Sequence, residues 1–293
     1  MNKKKAWLLA MRPKTLPAAI SPVLVGVSLA VSDGKFKPLT ALLTLLCSVI
    51  LQIGANVSND YFDHVRGIDG TNRLGPIRVT SSGFLSPNEV RAGLIVIFIL
   101  SIFVGLYLVI VGGFPIMITG ILAITSALAY SGGPFPLASH ALGDLFVLLF
   151  FGIVAVNGSY YLQTGTFSIT SILLSIPVGL IITNIMVINN LRDIRTDREV
   201  DKKTLAVLIG EANTHLEYIF IVILSLLIPM VIVYSGLLKP IVAVIPLITL
   251  PFWIILVKES FANRGQTLNV TLARTALLAL LYCILLSIGL LLQ

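Results

Sequence analysis

Charge is what this sequence has least of. Asp, Glu, Lys and Arg make up 11% of its 293 residues, against about a quarter in an ordinary soluble domain. With a mean hydropathy of +1.00, the chain is excluded from the water-soluble globules and reads as an integral membrane protein. Cysteine is nearly missing as well. Cys47 and Cys283 both fall within apolar stretches, where a thiol packs as a small hydrophobe, so neither a disulfide framework nor a cysteine-based metal site is expected. Histidine numbers three, His64, His140 and His215, and these lack partners at metal-ligand spacing.

What is present is apolar sequence in long runs. A bilayer-spanning helix needs ~20 such residues, and nine runs qualify, near 16–32, 39–58, 90–111, 113–130, 144–162, 168–188, 216–235, 240–257 and 271–292. They predict an all-α polytopic membrane protein, a single transmembrane domain over 1–293 with about nine helices around a central cavity. The opening MNKKKAWLLAM starts like a signal peptide, but Arg12, Pro13 and Lys14 cut its apolar run short, so it is read as a retained cytoplasmic lead-in. With the N-terminus inside, all twenty Lys and Arg except Lys35, Lys37 and Lys239 fall in cytoplasmic segments, which is the bias that sets topology. That bias and contact with anionic lipid account for the net charge of +7 without a nucleic-acid partner. Of thirteen acids only Asp33 lies outside, so chemistry is expected at the cytoplasmic face of the cell membrane.

Two polar stretches stand on that face: NDYFDHVRGID at 59–69, after the second run, and NNLRDIRTDREVDKK at 189–203, after the sixth. Both runs travel from outside to inside, so both stretches begin at a helix C-terminus. Such an end carries about half a negative elementary charge and repels carboxylates unless a cation is present. Each stretch nevertheless sets an Asp four residues after an Asn, as Asn59 with Asp63 and Asn189 with Asp193, and Asp197 follows four further on. Positions i and i+4 share a helix face. Two oxygen-bearing edges would then confront each other across a pocket, as in a duplicated four-helix unit with a ninth helix added. An all-oxygen donor set suits Mg2+ or Ca2+ rather than zinc or copper, and sparse acids among Arg and Lys fit a Mg2+-bound diphosphate. Arg198, Glu199, Asp201 and Lys202 are read instead as a solvated loop laced with ion pairs. Asp69, set off by Gly67 and Gly70, is open to both readings.

These stretches resemble the two aspartate-rich motifs of the UbiA superfamily of intramembrane aromatic prenyltransferases, and the likeness covers essentially the whole chain. MRPKTLPAAISPVLVG at 11–26, RLGPIRVTSSGFLSP at 73–87, YSGGPFPLASHALGDLFVLLFFG at 130–152 and the Gly-x-Asp closing the first motif are similar to the branch that prenylates 1,4-dihydroxy-2-naphthoate. The usual pattern has three residues between the second and third Asp of the first motif, where HVRGI supplies five here. Some branches also carry a Lys soon after the Tyr that matches Tyr130, where this chain has SGGP. The resemblance implies transfer of a polyprenyl chain from polyprenyl diphosphate to 1,4-dihydroxy-2-naphthoate, with loss of CO2 and diphosphate, giving demethylmenaquinone for menaquinone synthesis. It also implies Mg2+ as cofactor and a site open to the lipid bilayer.

On that resemblance, Asn59, Asp63, Asp193 and Asp197 hold the metal, and Asp60 joins the three acids as a catalytic residue. Arg12, Arg73, Arg78 and Lys203 clamp the diphosphate beside Asn189. Arg12 and Lys14 are equally explained as lipid-headgroup anchors. Asp60, turned about 100° from Asn59 on a helix, binds metal through water, orients Tyr61 or Arg66, or pairs with a clamp residue. Tyr130 and Asp144 meet the aromatic acceptor, although an acid in the position of Asp144 is also favoured by a helix N-terminal dipole. Alternative acceptors within the superfamily are 4-hydroxybenzoate and homogentisate. The alternative outside it is a transporter, against which stands the gathering of acids at one face rather than at the bilayer midplane.

Overall fold

The computed structural model describes residues 1–68 and 74–293, so the expected site residues Asp69 and Arg73 lie outside the described residues. The chain is helical: α1 (Lys3–Met11), α2 (Pro17–Ser32), α3 (Pro38–Val65), α4 (Pro87–Ala129), α5 (Gly143–Thr164, with a π-helical stretch at Leu148–Val154), α6 (Ile169–Glu199), α7 (Leu205–Tyr234), α8 (Pro240–Ala262) and α9 (Gly265–Leu291). Starts are marked by residues that satisfy or lack the orphan N–H groups of a first turn. Ser86 forms a capping box with Glu89 ahead of Pro87, Ser168 accepts from Thr170 and Ser171 N–H, and Thr204 from Val207 N–H.

Among the described residues, seven helices are long and apolar enough to cross a bilayer, or eight when α1 and α2, bent by 49°, count as one span. The expectation of nine turns on α4. A straight helix of its 43 residues would run about 65 Å, roughly twice the ~30 Å hydrocarbon core. It breaks at Gly113 (φ 66, ψ −155), backbone that essentially only glycine adopts, and the expected boundary between the third and fourth runs falls there.

α6 is the innermost helix, with Leu174, Val178, Ile181, Ile182, Val187 and Ile188 all buried. It packs against α5, α7 and α9, while α2 lies against α5 and α9, and α3 against α4. Lipid tails are as apolar as leucine, so helices associate in a bilayer by close packing, which small residues permit. Gly152 of α5 meets Gly179 of α6: a Cβ added at Gly152 would stand 2.8 Å from the Gly179 Cα. Gly179→Val is therefore expected to destabilise the protein by ~1–3 kcal/mol or more through overpacking, read as a lower midpoint for loss of the monodisperse species on heating in detergent.

The helices that carry the two motifs run further than their apolar runs. α3 continues past residue 58 to Val65, and α6 past residue 188 to Glu199. The first part of the 59–69 motif and most of the 189–203 motif are thereby held on rigid helix rather than on loops.

Candidate active site

On α3, Gln52, Asn56, Asn59 and Asp63 recur three or four residues apart and so share a face; all four line a cavity of about 620 Å³ that also receives several charged side chains. On α6, Ile182, Met186, Asn189, Asp193 and Asp197 repeat the pattern and line the same cavity. The two oxygen-bearing edges read from the sequence thus meet one space. Arg12, Arg78, Tyr130 and Asp144 border it as well.

The three cavity-facing acids Asp63, Asp193 and Asp197 each have a basic partner. An Arg78 guanidinium N–H donates to Asp63 Oδ2. Arg192 Nε donates to Asp193 Oδ1 at 2.8 Å, and a second N–H of the same guanidinium donates to Oδ2. Lys202 Nζ donates to Asp197 Oδ1 at 3.2 Å. These cations offset the repulsion that a carboxylate feels at a helix C-terminus and the cost of partial burial.

Asp60 faces away from this edge and is buried. The Val79 and Thr80 N–H groups donate to its two oxygens at 3.0 Å each, and the Thr80 hydroxyl adds a third bond. The expected pairing with a clamp residue is not what these bonds make: Asp60 fastens the loop at 78–80, and with it Arg78, to α3. Arg12 sits in left-handed backbone (φ 49, ψ 67) at the break between α1 and the turn Pro13–Thr15, a strained conformation for a residue with a side chain. Asn56 Nδ2 ties that break to α3 by donating to Met11 O at 3.0 Å and to Thr15 Oγ1 at 2.9 Å.

The lysine that reaches the cavity from the end of α6 differs from the expected one. Asp201 takes a left-handed conformation (φ 51) that reverses the chain after α6, and Lys202 N–H donates back to Asp197 O at 2.8 Å. Lys202 therefore faces the cavity, although its segment was expected to be a solvated loop, and Glu199 borders the cavity too. Lys203, expected in the clamp, is exposed, and its N–H donates to Ser139 O at 3.2 Å.

Arg192 received no role from the sequence, yet it is buried and central. Besides holding Asp193, it donates to Asn189 Oδ1 at 2.9 Å and to Asn269 Oδ1 at 2.8 Å. Asn269 Nδ2 in turn donates to Leu74 O at 2.8 Å. One guanidinium thus joins α6, α9 and the segment after the first motif. Its place three residues after Asn189, on the same helix face, was the available signal.

Near the mouth of α5, Tyr130 OH donates to Met186 Sδ at 3.3 Å, Ser131 Oγ to Asn59 Oδ1 at 2.8 Å, and Asn190 Nδ2 to Asp144 Oδ2 at 3.3 Å. Asp144 lies in the first turn of α5, where the helix dipole favours an acid, and it also lines the cavity. Beyond Tyr130 lies a second cavity of about 390 Å³, lined by Cys47, Leu51, Leu108, Phe146 and Phe150 among others. The two cavities share Gln52, Ala55, Tyr130, Val147 and Phe151, so a chamber lined with charged groups adjoins an apolar one.

Among the described residues, no three Asp, Glu, His or Cys side chains converge into a ready metal cage. The donor set nevertheless fits Mg2+, which prefers one or two carboxylates completed by water and phosphate oxygens over an all-protein cage. Asp197 Oδ2 is buried and accepts no hydrogen bond from any described residue, an oxygen that such an ion would satisfy.

Residues 19–277 match the UbiA prenyltransferase family. The chain is 42% identical over 221 residues to the 1,4-dihydroxy-2-naphthoate octaprenyltransferase of Escherichia coli (strain K12), covering 73% of this chain and 71% of that protein. To the enzyme of the same name from Mycobacterium tuberculosis (strain ATCC 25618 / H37Rv) it is 37% identical over 212 residues, 72% of each chain. Its fold is similar to that of a UbiA homolog from Archaeoglobus fulgidus bound to GPP and Mg2+, with a TM-score of 0.67 over 98% of this chain and all of that one, at 14% identity.

Proposed function

This chain belongs to the UbiA prenyltransferase family, and from that premise we propose that it transfers a polyprenyl chain from its diphosphate to 1,4-dihydroxy-2-naphthoate at the cytoplasmic face of the membrane. The relatives that carry this name, at 37 to 42% identity over most of the chain, support the acceptor and a place in menaquinone synthesis. The observation that carries the mechanism is that an acid- and base-lined chamber adjoins an apolar one across shared lining residues. A prenyl diphosphate has that same division, with a charged head and a water-insoluble tail.

The hard step is rupture of an allylic C–O bond while negative charge accumulates on the departing diphosphate. Mg2+, bound with the substrate, supplies neutralising charge there. Asn59, Asp63, Asp193 and Asp197 are the residues that would hold it. Arg78 and Arg192 neutralise Asp63 and Asp193. With Mg2+ held by those acids, Arg78 and Arg192 would be available to diphosphate oxygens, and Arg12, Lys14 and Lys202 line the same cavity. Cations fixed beforehand stabilise the charge that develops in the transition state without having to reorganise. Asp60 contributes at one remove, by holding the loop that carries Arg78.

The test is prenyl transfer by the purified protein in detergent, offering 1,4-dihydroxy-2-naphthoate and 4-hydroxybenzoate separately, with Mg2+ or with EDTA. The expected outcome is Mg2+-dependent product and CO2 from the naphthoate alone. Product from the benzoate alone would overturn the acceptor while leaving the family chemistry in place.

A further inference from the structure

Asp144 differs from the acids at the helix ends. Its exposure is 7%, and among the described residues no Lys or Arg pairs with it. Asn190 donates to Oδ2 at 3.3 Å, while Oδ1 is buried and accepts no hydrogen bond from any described residue. Leaving a buried acceptor unsatisfied is unfavourable, so Oδ1 is poised for a donor that arrives in the cavity. Its location identifies that donor. Asp144 lines the chamber that receives the charged groups, one turn before Val147 and close to Tyr130, both of which also line the apolar chamber. On the reading above, a prenyl chain with its tail in one chamber and its diphosphate in the other would present its first carbon to the attacking ring at that seam.

We propose that Asp144 is a catalytic proton carrier: Oδ1 accepts the ring hydroxyl next to the carboxylate of the acceptor, holds its proton during C–C bond formation, and returns it when CO2 leaves. The proposal rests on the naphthoate reading above. The allylic C–O bond breaks with its electron pair departing on diphosphate. The ring carbon bearing the carboxylate supplies the pair for the new C–C bond, the adjacent C–O–H becomes C=O, and its proton passes to Asp144. The intermediate carries a carboxylate β to a ketone. Its bond to the carboxylate carbon breaks, CO2 leaves, and the released pair restores the aromatic ring as a naphtholate, which takes the proton back from Asp144. The carboxylate finishes as it began, so the net exchange is CO2 for prenyl and no base is consumed.

The test compares Asp144→Asn and Asp144→Glu with the unaltered enzyme, using Mg2+, a polyprenyl diphosphate and 1,4-dihydroxy-2-naphthoate. Proton transfer by a positioned side chain contributes roughly 10²–10⁴-fold, so kcat of Asp144→Asn is expected to fall by about that factor. KM for the diphosphate is expected to stay within about threefold, and Asp144→Glu to recover part of kcat. A kcat for Asp144→Asn within about threefold of the unaltered enzyme overturns the proposal. If the Asn variant does not fold, the unaltered enzyme answers the same question when given the acceptor methylated on the hydroxyl next to its carboxylate, which has no proton to lend there. Turnover slowed roughly a hundredfold or more is expected, and turnover of the ether within about threefold of the free naphthoate overturns the proposal. Failure of the unaltered enzyme on the free naphthoate would instead overturn the acceptor reading.

Discussion

Asp63→Ala and Asp193→Ala are each expected to lower prenyl transfer by roughly a thousandfold or more, with the protein still present in the membrane and monodisperse in detergent. Either change removes one of the carboxylates proposed to hold Mg2+ at the leaving group. It also leaves a guanidinium, Arg78 or Arg192, without the acid that it pairs with. The apolar contacts that hold the bundle together lie elsewhere, on Leu174, Ile181, Ile182, Leu286 and their neighbours, so the fold should survive, although the buried guanidinium left behind lowers the thermal midpoint. Asp63→Asn and Asp193→Asn sharpen the test, since they keep shape and one oxygen and remove only charge. Turnover near the wild-type level in both Ala variants would sink the two-edge metal site, whatever the acceptor.

The parts of this site that the sequence revealed are those set by helix periodicity. Asn59 and Asp63, like Asn189, Asp193 and Asp197, lie on one face because their spacing admits little else once the helix continues, and α3 and α6 do continue. The parts that stayed hidden depend on how the chain turns after a helix stops. The left-handed backbone at Asp201 decides that Lys202 rather than Lys203 reaches the cavity, and nothing in the string DKK distinguishes the two. Asp60 was weighed for several roles because an angle of about 100° around a helix says that it points elsewhere, not that the loop at 78–80 waits there. Asn269 could not be found by motif spacing, since its partners, Arg192 and Leu74 O, are far away in sequence. For the fold, hydropathy located the spans, and Gly113 is the residue on which their number turns, a break that an apolar average cannot register.

Arg192 is the position where substitution is expected to reveal most about how the two edges are coupled. Its guanidinium is buried and spends its N–H groups on Asp193, Asn189 and Asn269. Arg192→Leu removes all of these at once and leaves the Asp193 carboxylate without its counter-charge, a change that at a buried pair typically destabilises by about 3–5 kcal/mol. The expected result is a lower thermal midpoint together with a fall in kcat/KM of roughly a hundredfold or more, because the acid edge of α6 loses its fixed geometry and the diphosphate loses a donor. Arg192→Lys keeps the charge but not the planar fork. It should recover much of the stability and little of kcat/KM, since one ammonium does not reproduce the bidentate hold on Asp193 together with bonds to Asn189 and Asn269. If both variants lose stability in step with activity, and the folded fraction turns over at the normal rate, Arg192 is a strut. If Arg192→Lys is stable and slow, the guanidinium is part of the apparatus that receives the leaving group.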